Sequence, residues 1–273
     1  MKDNPDRDPA REVFGSPEQQ RVLRLGEQAM RLLQDNPRFC AHGRGASVAE
    51  YGEDTADLIE ALARLIGVAI CESVKPEDKA TLVAELEQRG FTVDSWRRYA
   101  GFNCAAARAV LVERPAPDGL RVEIIDAASP SSLLEAYAEV AGPQNVLQSN
   151  GGSLRGEVRP GFGMVAFAPD GTPVGVAASV HSHHARSATP NAMQWGQIAT
   201  AAAWQGKGIA RWLGALSIVH AFENFGASEV YTGIREGNTP SKGLCEGLGV
   251  HDTGFEIVAA INPDAFGEGR LTK

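Results

Sequence analysis

Two rhythms of apolar and polar positions divide this chain. Up to about residue 113, apolar residues return every three to four positions, the period of a helix face. Between Glu18 and Leu33, Val22, Leu25, Ala29, Leu32 and Leu33 share one such face, and Leu58, Leu62 and Leu65 do the same between Asp54 and Leu65. Pro76 suits a helix start and Lys79 to Gln88 continues as a helix. Arg89-Gly90-Phe91 then ends it, with Gly90 fitted to a left-handed cap. One short apolar run, Ile66 to Cys71, fits a buried strand.

The segment Glu113-Arg114-Pro115-Ala116-Pro117-Asp118-Gly119 breaks this pattern with two prolines and an Asp-Gly turn. It predicts a mainly helical N-terminal region, 1–114, and a second domain, 119–273. In the second region Leu120 to Ile125 alternates as a strand does, and Ser129-Pro130 opens a helix through Leu133, Leu134, Tyr137 and Val140. Gly163 to Ala168 and Val174 to Val180 flank Pro169-Asp170-Gly171-Thr172-Pro173 as a hairpin. Further strands are expected at Met193–Thr200, Glu229–Ile234 and Phe255–Ile261. Helices are expected from about Ile209 to Phe225 and after Asn238. A hairpin followed by strands that alternate with helices indicates a mixed α/β sheet.

Composition narrows the class without changing the fold. With 273 residues, 30 Gly, 15 Pro and 43% hydrophobic residues, the chain is an ordinary globular protein able to bury its own core. A net charge of −8 argues against a sequence-tolerant grip on nucleic acid, which needs a basic face. Cys40, Cys71, Cys104 and Cys245 lie far apart, so a zinc ribbon, a redox dithiol or a disulfide scaffold is not expected, and no metal site is assigned. The start, Met1 to Asp8, is charged rather than apolar and does not read as a signal peptide. No stretch approaches the roughly 20 apolar residues of a membrane helix. These features together predict a soluble, reduced, cytoplasmic protein.

The segment richest in chemistry is Trp204-Gln205-Gly206-Lys207-Gly208-Ile209-Ala210-Arg211, where a strand gives way to an apolar helix. Two glycines let the backbone turn tightly, and the following helix adds unpaired N–H groups and its positive dipole end. Such a turn suits a phosphate or pyrophosphate, with Lys207 and Arg211 adding charge at the rim. The plainer alternative is a tight connection that holds no ligand. Neither GxxxxGK[ST] nor a Rossmann GxGxxG in a βαβ unit is present.

Gln205-Gly206-Lys207-Gly208-Ile209-Ala210 resembles the Q/R-x-x-G-x-G/A pyrophosphate loop of the GCN5-related N-acetyltransferases. Ile198-Ala199-Thr200 falls where that family has its fourth strand. Asn238 to Val250, ending Gly247-Leu248-Gly249-Val250, is similar to its second signature, an Asn that begins a helix ending in Leu-Gly-Phe. The resemblance covers about residues 119–262. It implies a mixed, mostly antiparallel sheet flanked by helices and a cofactor, acetyl-CoA or another acyl-CoA. The pyrophosphate would rest on backbone N–H groups of Gly206, Gly208, Ile209 and Ala210, with Gln205, Lys207 and Arg211 in the same loop. The pantetheine arm would pair with Ile198 and Thr200, and Asn238 would contact it near the thioester. The implied reaction is direct attack by a primary amine in a ternary complex, with a small-molecule amine as acceptor and neither nucleic acid nor membrane as partner. Oligomeric state stays open, a homodimer included.

The chain departs from the family pattern at two places. Cys245 stands where a Tyr often protonates the leaving thiolate; it is either an acid or a small buried hydrophobe behind the cofactor. Gln194 and Gln197 occupy the strand that often carries a basic Glu, and neither takes a proton near neutral pH. His181-Ser182-His183-His184 reads as a solvated loop, a substrate-facing base or, least well, a metal site. Tyr231 reads as core or as acceptor cleft, and Trp204 and Trp212 as packing. Leu86 to Phe91 echoes the Leu-Gly-Phe ending, so the first region is either a degenerate acetyltransferase-like copy or a helical lid or acceptor-binding module. Two other functions stay open: a non-catalytic acyl-CoA-binding or regulatory protein, and a structural protein without cofactor.

Overall fold

The computed structural model describes residues 8, 12–117 and 119–266; Met1 to Arg7 of the charged start and Asp118 of the Asp-Gly pair lie outside the described residues. In the first half, α1 (Pro17–Leu33) is followed by β1 (Phe39–Ala41), β2 (Ala46–Val48) and α2 (Thr55–Ile66). Then come β3 (Val68–Val74), α3 (Pro76–Gln88), β4 (Thr92–Gly101) and α4 (Ala105–Glu113). The second half runs β5 (Arg121–Ile125), α5 (Ser131–Ala141), α6 (Gly151–Leu154), β6 (Gly161–Phe167), β7 (Pro173–His181) and β8 (Ala192–Thr200). It closes with α7 (Ile209–Asn224), β9 (Glu229–Ile234), α8 (Thr239–Glu246), β10 (His251–Ile261) and α9 (Pro263–Phe266).

Among the described residues the strands form one sheet in the order β1-β2-β3-β10-β4-β9-β8-β7-β6-β5. All neighbours are antiparallel except β2 with β3 and β8 with β9. This is the mixed, mostly antiparallel sheet expected from sequence, and helices outnumber strands by residue before the proline seam. The order also contains a repeat: β1-β2-α2-β3-α3-β4 has the same succession as β7-β8-α7-β9-α8-β10. The last strands are placed crosswise, β10 beside β3 and β4 beside β9, with β10 and β4 paired at the centre.

Pairing register puts the helices on a common face. Val258 and Ala260 of β10 pack under α2 and α3, while Tyr99, Val230 and Ile234 pack under α4, α7 and α8. Through the pairs Val258↔Ser95 and Tyr99↔Thr232 these residues all point the same way. The opposite face carries Ile70, Trp96, Ile257, Ala259 and Tyr231, and α5 covers it only at the β5–β8 end.

The buried stripes largely follow the expected ones, with Val22, Ala29 and Leu62 buried and Leu25, Leu33 and Leu58 packed against the same core, and they widen toward neighbouring positions. In α1 the buried residues are Val22, Leu23, Gly26, Ala29 and Met30, while Leu32 is 86% exposed. In α2, Ala56, Ile59, Leu62, Ala63 and Ile66 are buried and Leu65 is exposed. In α1 a small residue sets the closest contact. At Gly26 a Cβ would stand 2.6 Å from the Gly45 Cα, so close backbone approach fixes how α1 sits. Pro76 opens α3 and Gly90, at φ 87, follows its end as expected; Ser16 and Gln19 form a capping box on α1, and Gly67, at φ 107, ends α2 inside the run expected to be strand. No helix of the described residues is long and apolar enough to cross a membrane.

Candidate active site

β8 and β9 run parallel only over Ala192–Gln194 against Glu229–Tyr231. Beyond Gln194 they part, and a cavity of about 680 Å³ opens between them. The parting leaves the β9-facing backbone of 195–200 without a strand partner. On its other side β8 bulges: Gln197 and Ile198 together oppose Ala177 of β7. Gly196 takes φ 147 and Gln197 φ 51, the latter a left-handed conformation that costs a side-chain-bearing residue on the order of 1–3 kcal/mol. Three hydrogen bonds hold it. The Gln197 side chain accepts from the Ser149 amide at 2.8 Å and donates to the Ser149 hydroxyl at 2.7 Å, and Tyr137 donates to the Gln197 carbonyl at 3.2 Å.

After β8 the chain makes one 3-10 turn at Ala202–Trp204, then turns through Gly206 at φ 76 and Gly208 at φ 83, the residue that caps α7. Among the described residues nothing accepts a hydrogen bond from the amides of Gly206 to Arg211. A Cβ added at either glycine would meet nothing within 4 Å, so open space lies directly over these donors. Gln205 ties the turn down by donating to the Thr200 carbonyl at 3.2 Å and to the Gln144 side chain at 2.9 Å. An anion is the group such a backbone suits.

The structure brings Ile198, Thr200, Gln205, Gly206, Gly208, Ile209, Ala210, Arg211, Asn238 and Cys245 to the wall of this one cavity. Lys207 is set apart, its ammonium lying over the Trp204 ring 4.2 Å from the centroid. The Arg211 Nε is buried without a partner and its Nη2 reaches the Gly247 carbonyl at 3.5 Å. Asn238 caps α8, its side-chain oxygen accepting from the Ser241 amide at 3.2 Å. Cys245 is 3% exposed, and burial, helped by Glu246, pushes its thiol up to about 12.

Five cavity residues come from the first half, the apolar Ile70 and Trp96 and three polar ones that escaped the sequence reading: His42, Arg44 and Glu72. Glu72 is 3% exposed, and burial raises its carboxyl to about 7, against the opposing pull of Arg98, Arg44 and Tyr231. The signal for it was present, an acid in the middle of the apolar strand Val68-Ala69-Ile70-Cys71-Glu72-Ser73-Val74. Burial lowers His42 to about 3, so it is neutral. Arg44 donates to the Leu147 carbonyl at 2.8 Å, and burial lowers its guanidinium to about 10. Tyr231 is fully buried and also lines the cavity. Arg98 lies over its ring, and its hydroxyl approaches Glu72 and Ser182 without completing a hydrogen bond.

The histidine cluster is not a solvated loop. His181 ends β7 with Nε2 3.1 Å from the Phe225 carbonyl, and His183 is 5% exposed with Nδ1 2.8 Å from the Ser182 hydroxyl. Desolvation lowers His183 to about 4, so it stays neutral. Among the described residues no group of three or more metal-ligating side chains occurs.

The profile of the Acetyltransferase (GNAT) family matches residues 133–250. A solved structure of a GCN5-related N-acetyltransferase from Kribbella flavida superposes with a TM-score of 0.56 at 15% identity, covering 89% of this chain and 95% of that one. A Drosophila protein superposes at 0.52 with 14% identity, over 80% of this chain and 71% of its own. A functionally unknown conserved protein from Staphylococcus epidermidis superposes at 0.51 with 12% identity, over 81% and 86%. No curated protein sequence matches. At these identities the likeness concerns the fold.

Proposed function

Because this chain belongs to the GCN5-related N-acetyltransferase superfamily, a family of acyl-CoA-dependent acyltransferases, we propose that it transfers an acetyl group from acetyl-CoA to a primary amine. The observation that carries the reading is the row of unclaimed amides from Gly206 to Arg211, which opens on the same cavity as the parted edge of β8. Amides of Gly206, Gly208, Ile209 and Ala210 hold the pyrophosphate, with the Arg211 guanidinium alongside. The unpartnered backbone of Ile198 and Thr200 receives the pantetheine arm, and Asn238, its oxygen already used in capping, offers its amide N–H groups.

When bound, acyl-CoA supplies an activated thioester carbonyl. The chain's own contribution is placement and charge. Two reactants held in one cavity gain most of the acceleration available to such a transfer. The bulge frees backbone groups of Gln197 and Ile198 from regular pairing, and an N–H there stabilises oxygen charge as the amine attacks. Cys245 fits packing behind the arm better than acid catalysis. A thiol at about 12 would give its proton uphill to a departing thiolate whose ordinary pKa is near 8.5. That weakness is the observation behind the second reading, binding without transfer. The topological repeat supports reading the first half as a degenerate copy of the second that has kept the strands but not the glycine turn.

Two measurements test this. Saturating CoA at about 100 times its Kd stabilises the protein by roughly 2.7 kcal/mol, or about 5–10 °C in Tm. Thiol release from acetyl-CoA then accompanies addition of an amine panel. No thermal shift with any CoA overturns the assignment, and a shift without thiol release favours the binding module.

A further inference from the structure

Arg44 and Glu72 stand on the wall of the same cavity with opposite charges, yet they form no ion pair with each other or with any described residue. The neighbouring charges are accounted for. Arg98 is paired with Glu229 in a buried contact and stacked on Tyr231, and His42 is neutral. Arg44 uses only its Nε, on the Leu147 carbonyl. Glu72 is buried and Arg44 half-buried, each without an ion partner, and a ligand that carries both complementary charges relieves the cost of both. Beside Glu72 on the same sheet face lie Ile70, Ile257 and Trp96, an apolar wall.

We propose that the acceptor is a free α-amino acid with an apolar side chain, its carboxylate held by Arg44, its ammonium by Glu72 and its side chain by Ile70, Trp96 and Ile257. This rests on the acetyl-transfer reading and gives the first half its role, since Arg44 and Glu72 both precede the proline seam. Glu72 is also the base. The ammonium passes one proton to the Glu72 carboxylate, and the freed amine forms a C–N bond to the acyl carbon as the C–S bond breaks. The second nitrogen proton leaves on the sulfur as coenzyme thiol, and Glu72 returns its proton to solvent. The products are an N-acetyl amino acid, the thiol and one proton.

The test compares L-leucine with leucine methyl ester, isoamylamine and L-aspartate, by calorimetric binding to the protein with and without saturating CoA and by thiol release. Leucine is expected to exceed isoamylamine by roughly 100-fold in kcat/KM and to bind more tightly than the ester, because a site built for a charged group rejects the analogue lacking it. Arg44→Met shrinks that preference to a few-fold, and Arg44→Lys retains part of it. Aspartate is expected to be poor. Equal binding and turnover of leucine and isoamylamine in the wild-type protein overturns the proposal without recourse to any variant, as does failure of leucine to bind. A CoA-induced thermal shift in the same samples separates these results from failure of the acetyltransferase reading itself.

Discussion

The turn from β2 into α2 and the turn from β8 into α7 occupy equivalent places in the repeated topology, and they differ in what their amides do. In the second, the amides from Gly206 to Arg211 are unclaimed beneath open space. In the first, the Ala49 amide donates to the Arg38 carbonyl, Tyr51 to Ser73 and Gly52 to the Thr55 hydroxyl at 2.7 Å. Its residues Glu50, Glu53 and Asp54 are acidic, and Arg38 is engaged by Asp54 and by the Glu50 carbonyl. A strand–helix crossover therefore does not make an anion site by topology alone. The amides must be left free, glycine must supply the positive φ, and acids must be absent. The first half contributes instead through the β1–β2 turn, which carries Arg44, and through β3, which carries Glu72, to the shared cavity.

The largest effect that would break this division of labour is expected at Glu72. Glu72→Gln lowers kcat/KM by about 10²–10⁴ while leaving CoA affinity near that of the wild type, as loss of a general base does. In the wild type kcat/KM climbs as pH rises through about 7, where the buried carboxyl ionises, and the variant loses that limb. The sign for stability is opposite. A carboxyl raised from 4.5 to about 7 binds its proton more tightly folded than unfolded, so stability falls as pH rises across that window. Glu72→Gln should thus be the more stable protein above pH 7, by up to about 3 kcal/mol, with little gain near pH 4. A Tm difference that is flat with pH contradicts this.

Next is the glycine turn. Gly208→Val places a branched side chain at φ 83, over the amides, and should weaken CoA roughly 100-fold in calorimetry. Unchanged affinity would remove the basis of the cofactor site. Behind the bulge, Ser149→Ala deletes the hydroxyl that Gln197 donates to. A drop in kcat of roughly 10-fold with CoA binding retained is expected as the β8 backbone relaxes, and no drop would mean the bulge holds itself. Cys245→Ala should cost about 1 kcal/mol of stability for its small cavity and change kcat less than about 3-fold, whereas an acid role predicts a far larger loss. At the bottom of the scale Glu53→Gln, in the β2–α2 turn, should leave CoA affinity as it is; weakening there would mean that turn holds cofactor too.

Legibility followed the range of the forces involved. The Gly206–Gly208 turn, the Asn238 cap and the hairpin of β6 and β7 were readable because each depends on neighbours a few residues away. The strand β4 was not recognised over its length, since Thr92-Val93-Asp94-Ser95-Trp96-Arg97-Arg98 carries charges a strand ordinarily avoids. Those charges are met by Asp252 and Glu256 on Arg97, by Glu229 on Arg98 and by Arg235 on Asp94, all more than a hundred residues away. The half of the cavity proposed to hold acyl-CoA could be assembled residue by residue, while the Arg44–Glu72 half had no local motif beyond one acid in an apolar strand.

The amino-acid sequence by itself determined most elements after the proline seam, three helices and one strand before it, the mixed sheet and the glycine turn with its free amides. Periodicity, capping and glycine placement are local properties, expressed whatever surrounds them. Only the tertiary structure decided that β10 lies between β3 and β4, so that residues from both sides of the proline seam share one sheet face. It also decided which charges are neutralised and which are left unpaired at the cavity, because burial and distance between remote side chains set the energy of a charge, and no linear spacing encodes either.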